Sequence, residues 1–236
     1  MLDVDLHTHT LFSACGLHTH IEILTRAKAL GMTAVAVTDH GIAQSSRVPS
    51  PFYDRLNHPL DGIRLLKGIE CNLVDDQGTI DLPQGRLKYL DVVLLGIHPN
   101  TPKGLGKDAY TRMLIGAVDK NPAVDILTHL NDESYPVDFE AVILKAKERG
   151  IAIELNNSKT LLQRSPDDLT RRLVATAMDI GSRMVVTSDM HALEELGLDD
   201  NVKPFLAEVG FPEERLVSLN AETTFAFLEE RRENKK

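Results

Sequence analysis

The segment Val4-Asp-Leu-His-Thr-His9 joins a short apolar run directly to two histidines that stand two positions apart. The same arrangement, an apolar run followed by a residue able to bind a metal, recurs along the chain. We predict strands over Val4–Leu6, Ala34–Thr38, Ile63–Ile69, Val92–Ile97, Asp125–Thr128, Ala152–Leu155 and Met184–Thr187. These runs are continuously apolar rather than alternating, which favours a parallel sheet covered on both faces.

Helical patterns separate these runs. The predicted helices are Ile21–Leu30, Asp108–Val118, Phe139–Arg149 and Asp167–Ile180, and three of them are followed by glycine. Seven strands that alternate with helices predict either a (β/α) barrel or a doubly wound sheet. A length of 236 residues predicts a single domain that spans residues 1–236. The charged tail Glu229–Lys236 is expected to be solvated and frayed.

The composition limits the partners that the chain can have. Its 26 basic and 35 acidic residues give a net charge of −9, which argues against a broad surface for nucleic acid or an anionic membrane. The two cysteines cannot build a disulfide framework. The run Val92–Ile97 is far shorter than the ~20 residues that cross a bilayer. We therefore expect a soluble cytoplasmic protein, with no signal for its oligomeric state.

Residues of the types that bind metals follow six of the predicted strands. They are His7, His9, His40, Glu70, His98, His129, Asp189 and His191. A lone histidine is most often a surface or core residue, which suits His58, but a barrel brings strand ends together on one rim. Imidazole and carboxylate suit divalent transition metals, zinc above all. Because one ion uses about four ligands, eight donors predict two or three ions with a bridging carboxylate.

The motifs also indicate a family. His7-Thr-His9, Thr38-Asp-His40, Gly68-Ile-Glu70, Gly96-Ile-His98, Thr128-His129, Glu154-Leu-Asn-Asn157 and Ser188-Asp-Met-His191 resemble, in order and over essentially the whole chain, the polymerase and histidinol phosphatase (PHP) superfamily, and most closely its YcdX-type phosphatases. The resemblance implies a distorted seven-stranded TIM-like (β/α) barrel that holds three metal ions, usually zinc. It further implies that His7 and His9 bind one ion with Asp189 and Glu70, that Glu70 bridges to a second ion held by His98 and His129, and that His40 and His191 hold the third.

Cys15 departs from the pattern of the family, whose close relatives have a histidine at this position to complete the third site. A thiolate is a good zinc ligand and would favour zinc over manganese or magnesium. The alternatives are that His18 or His20 supplies an imidazole, or that the third site is empty and two ions remain. Manganese or iron are the alternative metals.

The resemblance implies hydrolysis of small phosphate monoesters by a metal-bound hydroxide, since a divalent ion lowers the pKa of bound water to about 7. Catalytic roles fall to Glu70, Asp189 and His191, and either Asp189 or a bound water would protonate the leaving group. Candidate substrate contacts in the loops after the strands are Arg47, Lys103, Asn157, Lys159 and Arg164. Asp5 and Asp39 stand beside ligands and are candidates for orienting them.

Three other functions are compatible with parts of this pattern. A phosphodiesterase or exonuclease-like PHP domain would use the same ligands, but the chain has no basic face for DNA. A non-catalytic metal-binding regulatory module would agree with the altered position 15. An amidohydrolase-type enzyme would use His-x-His with a metal-bridging lysine, whereas Lys67 lies inside the third predicted strand.

Overall fold

Seven parallel strands, arranged side by side in the order of the sequence, form the centre of the computed structural model, which describes residues 1–57, 59–158 and 165–235. They are β1 (Val4–Asp5), β2 (Ala34–Val37), β3 (Arg64–Asn72), β4 (Val92–Gly96), β5 (Ile126–Leu127), β6 (Ala152–Asn156) and β7 (Met184–Thr187). Just beyond β7 and β1, Met190 pairs in parallel with Thr8, and the backbone N–H of His9 donates to the carbonyl of Met190 at 2.9 Å. The sheet is thereby nearly closed. The predicted TIM-like barrel of one α/β domain is confirmed, and the doubly wound sheet is excluded because its strand order would reverse.

The described helices are α1 (His20–Ala29), α2 (Ser50–Asp54), α3 (Lys107–Lys120), α4 (Phe139–Glu148), α5 (Asp167–Ile180), α6 (Lys203–Val209) and α7 (Ala221–Arg232). The four predicted helices are present with ends shifted by at most two residues. In α4 the buried residues Phe139, Val142, Ile143 and Ala146 form one stripe, as an amphipathic pattern requires. None of the described helices is both long and apolar enough to cross a bilayer.

Both faces of the barrel wall are buried, which explains why the strands read as continuous apolar runs. Alternate residues of β2 divide between two cores: Ala34 and Ala36 join the cluster inside the barrel, and Val35 and Val37 join the layer beneath the helices. Phe227 and Leu228 of α7 belong to the inner cluster. Helix α7 therefore closes the amino-terminal end of the barrel, which leaves the carboxyl ends of the strands for the functional site.

The charged tail is anchored to the base of the barrel. The fully buried carboxylate of Asp125, immediately before β5, accepts hydrogen bonds from Arg231 Nε at 3.2 Å and Lys235 Nζ at 2.9 Å. Arg231 also donates to the carbonyl of Val124 at 2.7 Å. The expectation that Glu229–Lys236 frays is therefore wrong for Arg231 and Lys235, because a buried acid distant in sequence pairs with both cations.

Candidate metal centre

The side chains of metal-ligand type that follow the strands converge around the carboxylate of Glu70. Glu70 lies near the carboxyl end of β3. Five imidazole nitrogens lie within 3.4 Å of its oxygens: those of His7 at 3.3 Å, His9 at 3.4 Å, His40 at 2.7 Å, His98 at 2.9 Å and His129 at 3.0 Å. Asp189 Oδ1 lies 3.1 Å from His9 Nε2, and the ring of His191 is centred 4.7 Å from that of His9. Side chains from five of the strand ends and from the loop after β7 thus meet in one place.

Pairs of ligand nitrogens face one another at distances that a shared metal ion would also give. His7 Nε2 lies 3.1 Å from His9 Nε2, and His98 Nε2 lies 3.2 Å from His129 Nε2. Two nitrogens bound to one tetrahedral zinc at about 2.0–2.1 Å would stand about 3.3 Å apart. His40 Nδ1 and Glu70 Oε2 are buried 2.7 Å apart, yet neither makes a hydrogen bond. The donor set therefore fits divalent metal ions.

Three overlapping groups of ligand atoms could each hold an ion, because the atoms of each group lie within 4.8 Å of one another. The groups are His7 with His9 and Asp189, His9 with Cys15 and His40, and His40 with Glu70 and His98. His9 and His40 each belong to two groups, so ions held here would be neighbours. Nitrogen, oxygen and sulfur donors together suit zinc better than magnesium or calcium.

Cys15 reaches this cluster, whereas the alternative histidines do not. The Cys15 thiol hydrogen-bonds with His191 and His40; burial alone would raise its pKa, but these contacts lower it to about 7. His20 begins α1, and its ring packs 6.1 Å from that of Phe52. Among the described residues, neither His18 nor His20 belongs to any of the three groups.

The electrostatics of the cluster favour the metal-binding protonation state for Glu70, His9 and His98 and oppose it for His7, His40 and His191. Burial opposes ionisation of Glu70, yet His98, His7 and His40 hold the pKa of this carboxyl well below its usual range. Burial lowers the pKa of His9 to about 3 and that of His98 to about 4, which keeps both rings neutral at pH 7. Burial also opposes the charged form of His7, but nearby carboxylates, Asp189 first, raise its pKa well above the usual range. Because ligands must be deprotonated, metal binding here would release protons.

Glu154 supports the cluster from β6 and was not given a role by the sequence. It is fully buried, and its Oε1 accepts hydrogen bonds from His7 Nδ1 at 2.6 Å and from Thr187 Oγ1 at 2.7 Å. Its Oε2 accepts from the backbone N–H of His129 at 2.9 Å and from Asn156 Nδ2 at 3.1 Å. A carboxylate that binds the second nitrogen of a ligating histidine fixes its tautomer and strengthens it as a ligand. The signal in the sequence was an acid in the middle of an otherwise apolar strand.

Asp5 and Asp39, the acids that the sequence suggested for this orienting role, hold the loops that carry the ligands, and Asp39 reaches the His9 ring through the hydroxyl of Ser13. Asp5 Oδ1 accepts from the backbone N–H of Ser188 at 3.2 Å, which ties the loop after β7 to β1. Asp39 Oδ1 accepts from the backbone N–H of Thr10 at 2.8 Å and from Ser13 Oγ at 2.7 Å. Asp39 thus shapes the loop that carries Cys15.

Unusual backbone accompanies the ligands. His129 and Asp189 adopt positive φ angles of 36° and 51°, a region that residues other than glycine rarely occupy. Such strain persists where the surroundings enforce it and is common at functional sites. Gly96 is needed for a different reason, since a Cβ there would lie 2.7 Å from Cε1 of both His98 and His129. Only glycine allows these two rings to approach each other over β4.

A cavity of about 490 Å³ opens above the cluster. Beside the ligands it is lined by Gln44, Lys103, Asp132, Ser134 and Tyr135. Of the predicted substrate contacts, Lys103 lines this cavity, whereas Arg47 is exposed and is not among the lining residues. Asn157 is buried, and its Oδ1 accepts from the backbone N–H of Asn201 at 3.1 Å. The predictions for Lys159 and Arg164, like that for His58, lie outside the described residues.

Comparison with known sequences identifies the pattern. A sequence model of the PHP domain matches residues 5–150. A protein of Caldanaerobacter subterraneus subsp. tengcongensis named as a probable phosphatase is 33% identical over 98% of this chain and 92% of its own length. Another probable phosphatase, from Shewanella sp. strain ANA-3, is 34% identical over 97% of this chain and 92% of its own length.

Comparison with solved structures supports the fold. The histidinol phosphate phosphatase of Lactococcus lactis subsp. lactis, solved with zinc, L-histidinol and phosphate, superposes with a TM-score of 0.65 at 15% identity, over 89% of this chain and 94% of that chain. At such low identity the likeness shows a shared barrel and no more.

Proposed function

Because the chain belongs to the PHP domain family, we propose that it is a metal-dependent phosphatase that hydrolyses small phosphate monoesters. The observation that carries this proposal is the convergence of five imidazole nitrogens within 3.4 Å of the oxygens of the buried carboxylate of Glu70. The cavity above them, about 490 Å³, suits a small ligand. The two relatives named as probable phosphatases cover nearly the whole chain, which supports the same activity.

We propose three ions, with zinc as the metal. The first would be held by His7, His9, Asp189 and Glu70, the second by Glu70, His98 and His129, and the third by His40, His191 and Cys15. The Glu70 carboxylate lies close to His7 of the first group and to His98 and His129 of the second. These short distances support the proposal that Glu70 would contribute to both sites. The hydrogen bonds of Cys15 with His40 and His191 support the third group. The zinc in the Lactococcus lactis structure agrees with this choice of metal.

Divalent ions bound here would supply Lewis acidity, which polarises the phosphoryl oxygens and acidifies water. The chain's own residues keep that chemistry oriented. Glu154 holds His7 in one tautomer, and Asn156 Nδ2 donates to Asp189 Oδ2 at 3.1 Å, which fixes the carboxylate. Lys103 lines the cavity and can attract the phosphate dianion. Asp189 is our candidate for moving a proton to the leaving oxygen, and His191 for contacting the phosphoryl group.

The monoester is favoured over the diester for reasons of charge. A net charge of −9 disfavours long anionic substrates, whereas the positive charge of bound ions acts locally on one small dianion. The two cysteines form no disulfide, since both are free, which agrees with the cytoplasmic location that the sequence favours.

The test compares p-nitrophenyl phosphate with bis(p-nitrophenyl) phosphate, using protein stripped by a chelator and reloaded with zinc. The proposal predicts turnover of the monoester that follows zinc content, with two to three zinc ions per chain. Preference for the diester would replace the proposal with a phosphodiesterase, and absence of turnover in zinc-loaded protein would refute it.

A matched pair of variants locates the chemistry. His98→Ala removes a proposed ligand and should abolish turnover and reduce the zinc content. His20→Ala removes a histidine at the start of α1 that lies outside the three ligand groups, and should change neither. Equal loss in both variants would contradict the proposed centre.

A further inference from the structure

Asp132 is a buried acid in the catalytic cavity to which neither the sequence pattern nor the metal centre assigns a role. It follows β5, and its backbone N–H donates to the carbonyl of His129 at 3.0 Å, so its turn is anchored to a proposed ligand. Its side chain lines the cavity while the residue as a whole is only 5% exposed. It does not belong to any of the three groups of ligand atoms found among the described residues.

The carboxylate has few partners for its depth. Asp132 Oδ1 accepts one hydrogen bond, from the backbone N–H of Ser134 at 3.0 Å. In the part of the chain that the structure describes, no lysine, arginine or histidine lies within ion-pairing distance of it, and its second oxygen accepts no hydrogen bond. An ionised carboxylate has about four acceptor positions. Asp132 lines the cavity, and its oxygens are not among the fully buried side-chain atoms without a hydrogen bond, so a ligand in the cavity can reach the positions that remain.

A purely structural role does not require this charge. The bond to Ser134 forms a turn that asparagine would make equally well, since it needs one oxygen and no ionised group. The neighbouring Glu133 is exposed and does not line the cavity. Of the two acids in this turn, Asp132 is therefore the one whose carboxylate can contact a substrate.

The position of Asp132 decides which part of a substrate it contacts. A carboxylate repels a phosphoryl dianion, so the phosphate must lie towards the metal ligands and Asp132 must face the alcohol portion. Because Asp132 lines the same cavity as the metal ligands and its backbone N–H donates to the carbonyl of the proposed ligand His129, we expect the contacted group near the ester oxygen. The group that satisfies an ionised acceptor is a hydroxyl or an ammonium.

We propose that Asp132 determines the specificity of this site and selects phosphate monoesters whose alcohol carries a hydrogen-bond donor near the ester oxygen. This rests on the proposed phosphatase function and deepens it. The donor can be the hydroxyl of a polyhydric alcohol or the ammonium of an amino alcohol, and the experiment distinguishes these two.

Three probes of the same length test the proposal: 2-hydroxyethyl phosphate, 2-aminoethyl phosphate and propyl phosphate. They differ only in a terminal oxygen, nitrogen or carbon. The zinc-loaded protein should hydrolyse at least one of the first two with a kcat/KM about 10-fold or more above that for propyl phosphate, as expected for a bond to a charged group. Similar kcat/KM for all three would overturn the proposal.

The variants assign the preference to Asp132. Asp132→Ala should remove it, so that the ratio of kcat/KM between the donor-bearing probes and propyl phosphate falls to about 1. Asp132→Asn keeps the bond to Ser134 and therefore controls for loss of the turn. Its amide N–H₂ can donate to a hydroxyl but not to an ammonium, which has no acceptor. The variant should therefore reduce a preference for the ammonium probe more than a preference for the hydroxyl probe. Glu133→Gln, a loss of the same charge one residue away, should keep the preference.

The failures are distinguishable. A preference that survives in Asp132→Ala overturns the specificity role while the phosphatase function stands. A wild-type protein that hydrolyses neither these probes nor p-nitrophenyl phosphate overturns both.

Discussion

Replacing Glu154 by glutamine should weaken the first metal site without removing any ligand. The substitution keeps the shape of the side chain but exchanges one acceptor oxygen for an amide donor. Both carboxylate oxygens are saturated, since Oε1 accepts from His7 and Thr187 and Oε2 accepts from His129 and Asn156. In either orientation the new N–H₂ therefore faces two donors.

Two effects follow, with different magnitudes. If the amide faces His7, the 2.6 Å bond that fixes its tautomer is lost, and such losses weaken metal binding about 10- to 100-fold, or roughly 1.4–2.7 kcal/mol. The buried donors left without an acceptor destabilise the metal-free fold by about 1–3 kcal/mol.

Competition with a chromogenic chelator measures the first effect, and urea unfolding of the stripped protein measures the second. Thr187→Val is the control, because it removes a different donor to the same oxygen and leaves the bond to His7 intact. It should share part of the stability loss but change zinc affinity less than about 3-fold. Wild-type zinc affinity in folded Glu154→Gln would refute the reasoning.

Four further results are expected. Cys15→Ala should lower the zinc content by about one ion per chain, measured by plasma mass spectrometry; unchanged content would exclude Cys15 as a ligand. In stripped protein, iodoacetamide should alkylate Cys15 at a rate that rises with pH around a midpoint of about 7, because the thiolate reacts, whereas Cys71 is buried with its pKa raised well above the usual value and should stay inert. Gly96→Ala should displace the two histidine rings beside it and reduce zinc content, while Gly116→Ala, where a Cβ meets nothing within 4 Å, should not. Arg231→Met should cost about 3 kcal/mol in urea unfolding by breaking a buried ion pair, with zinc content unchanged in the folded protein.

Local patterns were enough to predict the elements of the barrel. The strand runs predict β1 to β7 because each is buried on both faces, and the donors that follow them predict a metal centre because parallel strands end on one rim. The strand ends differ by a few residues: β3, for instance, extends to Asn72 beyond the predicted Ile69, because its pairing with β4 continues to Gly96. The sequence of a strand does not show how far its hydrogen-bonded pairing with a neighbouring strand continues.

The sequence by itself determined the order of the strands' apolar runs, the placement of histidine and carboxylate donors after them, and the departure at Cys15. Tertiary structure decided what those residues contact. Closure of the sheet through Thr8 and Met190 brings the first and last donors together, and burial places Glu154 behind His7. Burial also pairs Lys235 of the charged tail with the carboxylate of Asp125, which holds the tail against the barrel. The physical reason is that periodicity reports which face of an element is buried, whereas hydrogen-bond partners and pKa values depend on groups far apart in the chain that only the closed barrel brings within reach.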